Sequence, residues 1–297
     1  MRVLLATDGA KETTVGLQAA GRLLRNRKHQ ADVLCVAPEL PVPRKQATAI
    51  SAEERTAYQQ RITEETGRIL EAAQATLRAS GIEAAPIMKI GSPAGQIARL
   101  AGEYDLTVVG ARGKAATGSM GLGPVASRVV ETVPGAILIA REPATERRLK
   151  ILVGVDGSDA LQRGLTLLTE GFDIRLAEIT LLHVVETPWV QFGMDREWFA
   201  YNEGGASASQ WQQELRLEAE TLIDDARRQL ADSDVSIVPI IAEGNAATEI
   251  LDELESDDYD LVLVGASGKK DVKQQVLGSV SAKLIWHSPC SALVVKA

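Results

Sequence analysis

The sequence predicts a duplicated α/β protein, two five-stranded doubly wound parallel-sheet domains in tandem. Three observations carry that prediction. The segment ending Ala6-Thr7-Asp8-Gly9 returns as Gly154-Val155-Asp156-Gly157, with Asp8 and Asp156 offset by 148 residues. Asp105-Leu106-Thr107-Val108-Val109-Gly110 returns as Asp260-Leu261-Val262-Leu263-Val264-Gly265, offset by 155, and Pro134 and Pro289 keep that spacing. Within each half, short apolar runs alternate with longer amphipathic stretches, the pattern of a parallel sheet covered on both faces. The second half has therefore gained seven residues, 155 less 148, between its first and fourth strands.

The first apolar run, Val3–Ala6, turns acidic at Asp8 and reads as a core strand rather than a signal peptide. The strands that follow in the first half are Asp32–Val36, Ala85–Lys89, Leu106–Val109 and Ala136–Ile139. Between them, helical periodicity covers about Lys11–Arg27, Glu53–Ala79, Ala94–Glu103 and Val125–Thr132. Gly81 and Gly102 stand where helices should end, as C-caps prefer. The charged, Pro-containing run from Arg141 to Arg148 reads as a linker between domains at 1–141 and 149–297. In the second half the strands are Ile151–Val155, Glu178–Val184, Ser236–Ile241, Leu261–Val264 and Ala292–Val295. Its helices are Ala160–Phe172, Ser209–Leu230, Ala246–Leu254 and Val280–His287.

Composition removes several classes of function. Of 297 residues, 45% are hydrophobic and 24% charged, the balance of a soluble globular chain, and no run approaches a membrane span. A net charge of −8 argues against a nucleic-acid partner, which needs a basic face. The expected compartment is the cytoplasm. Cys35 and Cys290 each sit in or beside an apolar run and read as buried filler. With His29, His183 and His287 they form no metal-ligand spacing.

Open parallel sheets bind ligands at the carboxyl ends of their strands, near the switch in strand order, which directs attention to the loops after strands one and four. After strand one, Asp8 and Asp156 can accept hydrogen bonds from a sugar hydroxyl or a purine amine, or can serve as turn or N-cap residues. After strand four the second half reads Gly265-Ala266-Ser267-Gly268, nine residues, then Gly278-Ser279-Val280-Ser281. Glycines let backbone approach a ligand, and a helix opening at Gly278 presents N–H groups and two hydroxyls to an anion.

With Val155-Asp156-Gly157-Ser158, Leu182-His183-Val184 and Leu293-Val294-Val295-Lys296, this motif resembles the universal stress protein family, in particular its tandem members. ATP-binding members carry Gly-x2-Gly-x9-Gly-Ser/Thr after the fourth strand, which Gly265, Gly268, Gly278 and Ser279 match. The resemblance implies that Val155, Asp156 and Val184 hold the adenine and its neighbourhood. It implies that Val264, Gly265 and Gly268 line the ribose and first phosphates, and that Gly278, Ser279, Val280 and Ser281 take the remaining phosphates. The ligand implied is ATP, or AMP or ADP, with Mg2+ as an accompanying cation. Members often carry His or Arg where Ser267 stands, so one polar contact is shortened here.

The first half keeps the glycine spacing in Gly110-Ala111-Arg112-Gly113 and Gly123, but Pro124 replaces the hydroxyl residue and Ala126 the second hydroxyl. Proline removes a backbone donor as well, although it is also at home at a first helical position. A weakened second site would comprise Asp8, Val36, Gly110, Arg112, Gly113 and Gly123, with Arg112 able to pair with a phosphate. Trp189, Phe192, Trp198, Phe199, Tyr201 and Trp211 crowd one segment of the second half, where much of the seven-residue excess is expected. They read either as a loop folded over its own domain or as a surface for a partner.

The function that follows is a stress-response protein binding an adenine nucleotide mainly in its C-terminal domain, the ligand acting as a signal for conformation or assembly. The alternatives are a nucleotide-independent protein-interaction module and a slow ATPase. Tandem family members usually pair their halves through the last strands as a pseudo-dimer, and two chains can pair further as a homodimer. No Ser/His/Asp or Cys/His set marks a dedicated catalyst.

Overall fold

Parallel strands cannot be joined by a tight hairpin, so within each unit successive strands are joined by helical crossovers. A computed structural model describes residues 1–40, 51–114, 121–142, 148–186, 205–266 and 277–296, with backbone alone at 205–212. The chain divides into Met1–Glu142 and Pro143–Ala297. The first unit runs β1 (Arg2–Thr7), α1 (Lys11–Leu24), β2 (Gln30–Ala37), α2 (Ala52–Ala79), β3 (Ala84–Ile90), α3 (Pro93–Ala101), β4 (Leu106–Gly110), α4 (Pro124–Thr132) and β5 (Ala136–Ala140). Its strands pair all-parallel in the order β3-β2-β1-β4-β5.

The second unit repeats the plan. It runs β6 (Lys150–Gly154), α5 (Asp159–Gly171), β7 (Glu178–Val185), α6 (Gly205–Gln229), β8 (Ser236–Glu243), α7 (Ala246–Ser256), β9 (Leu261–Gly265), α8 (Ser279–His287) and β10 (Ser291–Val295). Its order is β8-β7-β6-β9-β10, again all parallel. In each unit the chain starts in the middle strand and works outward to one side before crossing to the other. The switch points are β1/β4 and β6/β9.

The central strands are buried on both faces, which is why they read as unbroken apolar runs rather than alternating ones. Leu4, Leu5, Leu34, Leu106 and Leu138 are fully buried in the first unit, as are Ile151, Leu152, Ile179, Leu261 and Leu293 in the second. The outer strands β3 and β8 consist mostly of exposed and half-buried residues, and each carries a proline, Pro86 and Pro239. Proline lacks the N–H that an added strand would need, so it blunts an edge against pairing with another chain.

Helices sit close to the sheet where glycine removes a side chain. A Cβ at Gly164 in α5 would come within 2.8 Å of Leu263 and 3.3 Å of Val295. One at Gly16, the same position of α1, would come within 3.3 Å of the Gly110 backbone.

Two details differ from the expectations drawn from sequence. Helix α1 stops at Leu24 rather than Arg27, because Asn26 turns left-handed at φ 60°, a conformation Asn tolerates better than most residues. Gly81 has φ +81° and its N–H meets the Arg78 carbonyl at 2.9 Å, as a left-handed cap should, but Gly102 stays right-handed at φ −63°. Conformational freedom is therefore not what places Gly102. The seven-residue excess falls mostly in the stretch where it was expected. Ala37 pairs with Ile90 and Val185 with Glu243, so the offset is already 153 at the third strand. Five of the seven residues thus enter between β2 and β3 or between β7 and β8, and α7 supplies two more by being 11 residues long where α3 has 9. Of the aromatic segment, Trp189, Phe192, Trp198, Phe199, Tyr201 and the Trp211 side chain lie outside the described residues.

Candidate functional site

The carboxyl ends of the first and fourth strands of each unit lie side by side at the switch point because those strands are hydrogen-bonded neighbours. In the second unit they border a cavity of about 390 Å3. Val155, Asp156, Val184, Val264, Gly265, Gly278, Ser279, Val280 and Ser281 all line it. Gly268 and Ser267 lie outside the described residues.

The start of α8 lines this cavity. Gly278 is the N-cap, its own N–H donating to the Ala266 carbonyl at 2.6 Å. The first intrahelical bond runs from Ala282 N–H to the Gly278 carbonyl at 2.9 Å. The N–H groups of Ser279, Val280 and Ser281 therefore have no acceptor among the described residues, and the helix dipole adds positive potential there. The Ser279 hydroxyl is exposed beside them.

Ser281 departs from the role carried over from the family. Its side chain is buried and its hydroxyl donates to the Gly265 carbonyl at 2.6 Å, so it braces the end of β9 rather than facing a ligand. The Ser281→Ala variant should lose about 1–2 kcal/mol of stability, read by denaturant unfolding, from the unpaired carbonyl. ATP affinity should change by less than about threefold, because the backbone donor is untouched.

Asp156 lines the same cavity. Gly157 turns left-handed at φ 67°, and Ser158 caps α5 by accepting from Leu161 N–H at 3.2 Å. Ser158 also donates to Asp156 Oδ1 through its N–H (2.9 Å) and its hydroxyl (2.7 Å). Asp156 Oδ2 receives no hydrogen bond among the described residues. It lies beside Gly265, where a Cβ would stand 3.5 Å away.

The first unit builds a smaller cavity of about 240 Å3, and Asp8, Val36, Gly110, Arg112, Gly113 and Gly123 all line it. Gly123 caps α4 as Gly278 caps α8, with its N–H on the Ala111 carbonyl at 2.8 Å. Pro124 at the first helical position leaves the N–H groups of Val125 and Ala126 only, and Ala126 brings no hydroxyl. Asp8 differs more. Its Oδ1 accepts from Ala10 N–H at 3.0 Å and meets Thr13 Oγ1 at 2.8 Å, while its Oδ2 accepts from Lys114 N–H at 2.6 Å. The loop after β4 thus folds onto the carboxylate, and a Cβ at Gly113 would collide with it. Arg112 and Lys114 both line this cavity. Beneath it, burial pushes the Cys35 thiol up to about 11, as suits a packed thiol.

Several lining residues are not marked by the sequence motifs. Leu215, Glu218 and Leu222 of α6 wall the second cavity at the spacing of one helical face, and Ile250 of α7 and Ile97 of α3 occupy matching places in the two units. Helical periodicity places these positions on one face of a helix and no more, so no sequence signal singles them out as cavity lining. Glu186, just beyond β7, also lines the second cavity and accepts from Ala246 N–H at 3.2 Å. Among the described residues no helix is long and apolar enough to cross a membrane.

The comparisons with known proteins agree with this architecture. Over 147 residues the chain is 29% identical to universal stress protein YxiE of Bacillus subtilis, covering 50% of this chain and 98% of that protein. It is 27% identical over 230 residues to universal stress protein Slr1230 of Synechocystis, covering 77% of this chain and 71% of the relative. The crystal structure of a universal stress protein from Archaeoglobus fulgidus superposes with a TM-score of 0.66 at 19% identity, covering 99% of this chain and 98% of that one, a likeness of fold. The sequence model described as the universal stress protein family matches twice, at residues 1–141 and 148–296, and the chain belongs to that family as a tandem member.

Proposed function

We propose that the second unit binds an adenine nucleotide, ATP foremost, and that occupancy biases the conformation or assembly of a stress-response protein. The observation that carries this reading is the cavity at the β6/β9 switch point. Its lining includes the start of α8, where three N–H groups have no acceptor among the described residues, and Asp156, whose Oδ2 accepts no hydrogen bond among them. The N–H groups suit a polyanion, and Asp156 Oδ2 suits the donor of a ribose hydroxyl or purine amine. Apolar Val155, Val184 and Val264 line the same cavity and can pack against a base.

Charge balance brings a divalent cation into the reading. Asp156, Glu186 and Glu218 all line the cavity, so a bare triphosphate would meet carboxylates as well as donors. Mg2+ carried on the phosphates relieves that repulsion. Among the described residues no group of three His, Cys, Asp or Glu stands together to hold a metal ion, so the cation in this account comes with the nucleotide.

The first unit in this reading does not take a triphosphate. Its Asp8 already accepts from three groups of its own chain, and Pro124 removes one helix-start donor. Titration calorimetry should therefore give one ATP per chain, and thermal unfolding should shift upward with ATP and Mg2+. At a concentration about 100 times Kd, binding adds about 2.7 kcal/mol to the state that holds the ligand. Absence of any shift at millimolar ATP and Mg2+ would remove this function and favour the nucleotide-independent interaction module.

A further inference from the structure

The segment that presents Asp156 is held differently from its counterpart in the first unit. Strand β6 ends at Gly154, and Val155 continues beyond it with its N–H on the Leu182 carbonyl at 2.8 Å. The Val155 carbonyl lies 2.7 Å from Nδ1 of His183. A carbonyl oxygen only accepts, so Nδ1 carries the proton, and the neutral ring is fixed as the Nδ1–H tautomer. Strand β7 therefore grips both sides of Val155, the residue immediately before Asp156. His183 itself lines the cavity between Leu182 and Val184.

At the same offset of 148 residues, the first unit has Thr7 for Val155 and Cys35 for His183. There the turn is tied by the threonine, whose Oγ1 accepts from Gly9 N–H at 3.2 Å and lies 3.3 Å from Thr13 Oγ1. Valine offers no such hydroxyl, and Cys35 is a buried packing residue. The two exchanges compensate each other: where the hydroxyl is lost from the first strand, an imidazole donor stands on the second.

We propose that His183 is a positioning residue of the second-unit site, its Nδ1–H holding the Val155 carbonyl and thereby setting the direction of the Asp156 carboxylate toward the ribose and base. This rests on the reading that the cavity holds an adenine nucleotide. It says more than that reading, because it separates the two ends of the ligand. Contacts at the α8 end are made by backbone groups that His183 does not touch.

The test is calorimetric titration of the full chain and two variants, with AMP, ATP and inorganic tripolyphosphate, each with Mg2+. In His183→Asn the side-chain amide places a donor near the position of Nδ1, and in His183→Gln it lies one bond too far. Asn should keep AMP and ATP affinity within about threefold, whereas Gln should weaken both about tenfold, the size of one hydrogen bond. Tripolyphosphate affinity should stay within about twofold in both variants, since its donors are elsewhere. Equal affinities of wild type and Gln for AMP would overturn the proposal. So would an equal loss for tripolyphosphate and AMP, which marks general loosening of the fold, or a loss in Asn as deep as in Gln. Failure of the wild type to bind any of the three ligands would strike the nucleotide reading itself.

Discussion

Gly278→Asp should abolish ATP binding while raising the melting temperature of the ligand-free protein. Gly278 is the N-cap of α8, with φ −67° and ψ 161°, an extended conformation that any L-residue adopts without strain. An aspartate there places its carboxylate over the N–H groups of Val280 and Ser281, where caps normally bond. It satisfies orphan donors and interacts favourably with the helix dipole, which together stabilise by about 0.5–2 kcal/mol. The same carboxylate occupies the seat proposed for the phosphates and repels them. Losing two charge-assisted hydrogen bonds at about 1.5–3 kcal/mol each weakens ATP by at least about 100-fold. Calorimetry and thermal unfolding on one sample read both effects. Their opposite signs separate a blocked site from a damaged fold, since damage would lower both. Retention of wild-type ATP affinity would show that the helix start is not the phosphate seat.

Phe172→Ala should be the most destabilising single change in the second unit. Phe172 closes α5, its N–H on the Leu168 carbonyl at 3.2 Å, and among the described residues it is the largest fully buried side chain, with 0% exposure. Truncating a buried phenylalanine removes its transfer energy and leaves a cavity, together about 3–5 kcal/mol. At 2–4 °C per kcal/mol for a unit of this size, the second unit should melt roughly 6–20 °C lower. The counterpart at the same offset is Leu24, also fully buried, so the first unit keeps its own core. Calorimetry should accordingly show one transition displaced, and that displaced transition should be the one ATP raises. A loss below about 1 kcal/mol would mean that neighbouring side chains collapse into the space.

Much of the fold was legible because the signals for it are local and repeated. Among the described residues the apolar runs correspond to ten strands, parallel within each unit, and in the inner strands burial on both faces leaves little polar alternation to confuse them. The site's location was legible for a related reason. The glycine spacing after the fourth strand, and an aspartate after the first, mark the two loops that a doubly wound sheet brings together at its switch point. Residues spaced on helix faces were harder. Leu215, Glu218 and Leu222 carry the period of any amphipathic helix, and nothing in that period says that the face covers a cavity instead of core.

The amino-acid order by itself determined the duplication, the strand and helix sequence, the two switch-point loops and the loss of a donor at Pro124, because each follows from residue type and spacing along the chain. Only the folded arrangement decided which polar atoms remain available. It closed the Lys114 N–H onto Asp8, turned the Ser281 hydroxyl toward the Gly265 carbonyl and set His183 against the Val155 carbonyl. Those pairings join residues 106, 16 and 28 positions apart, and a hydrogen bond depends on a few tenths of an ångström that no local pattern encodes.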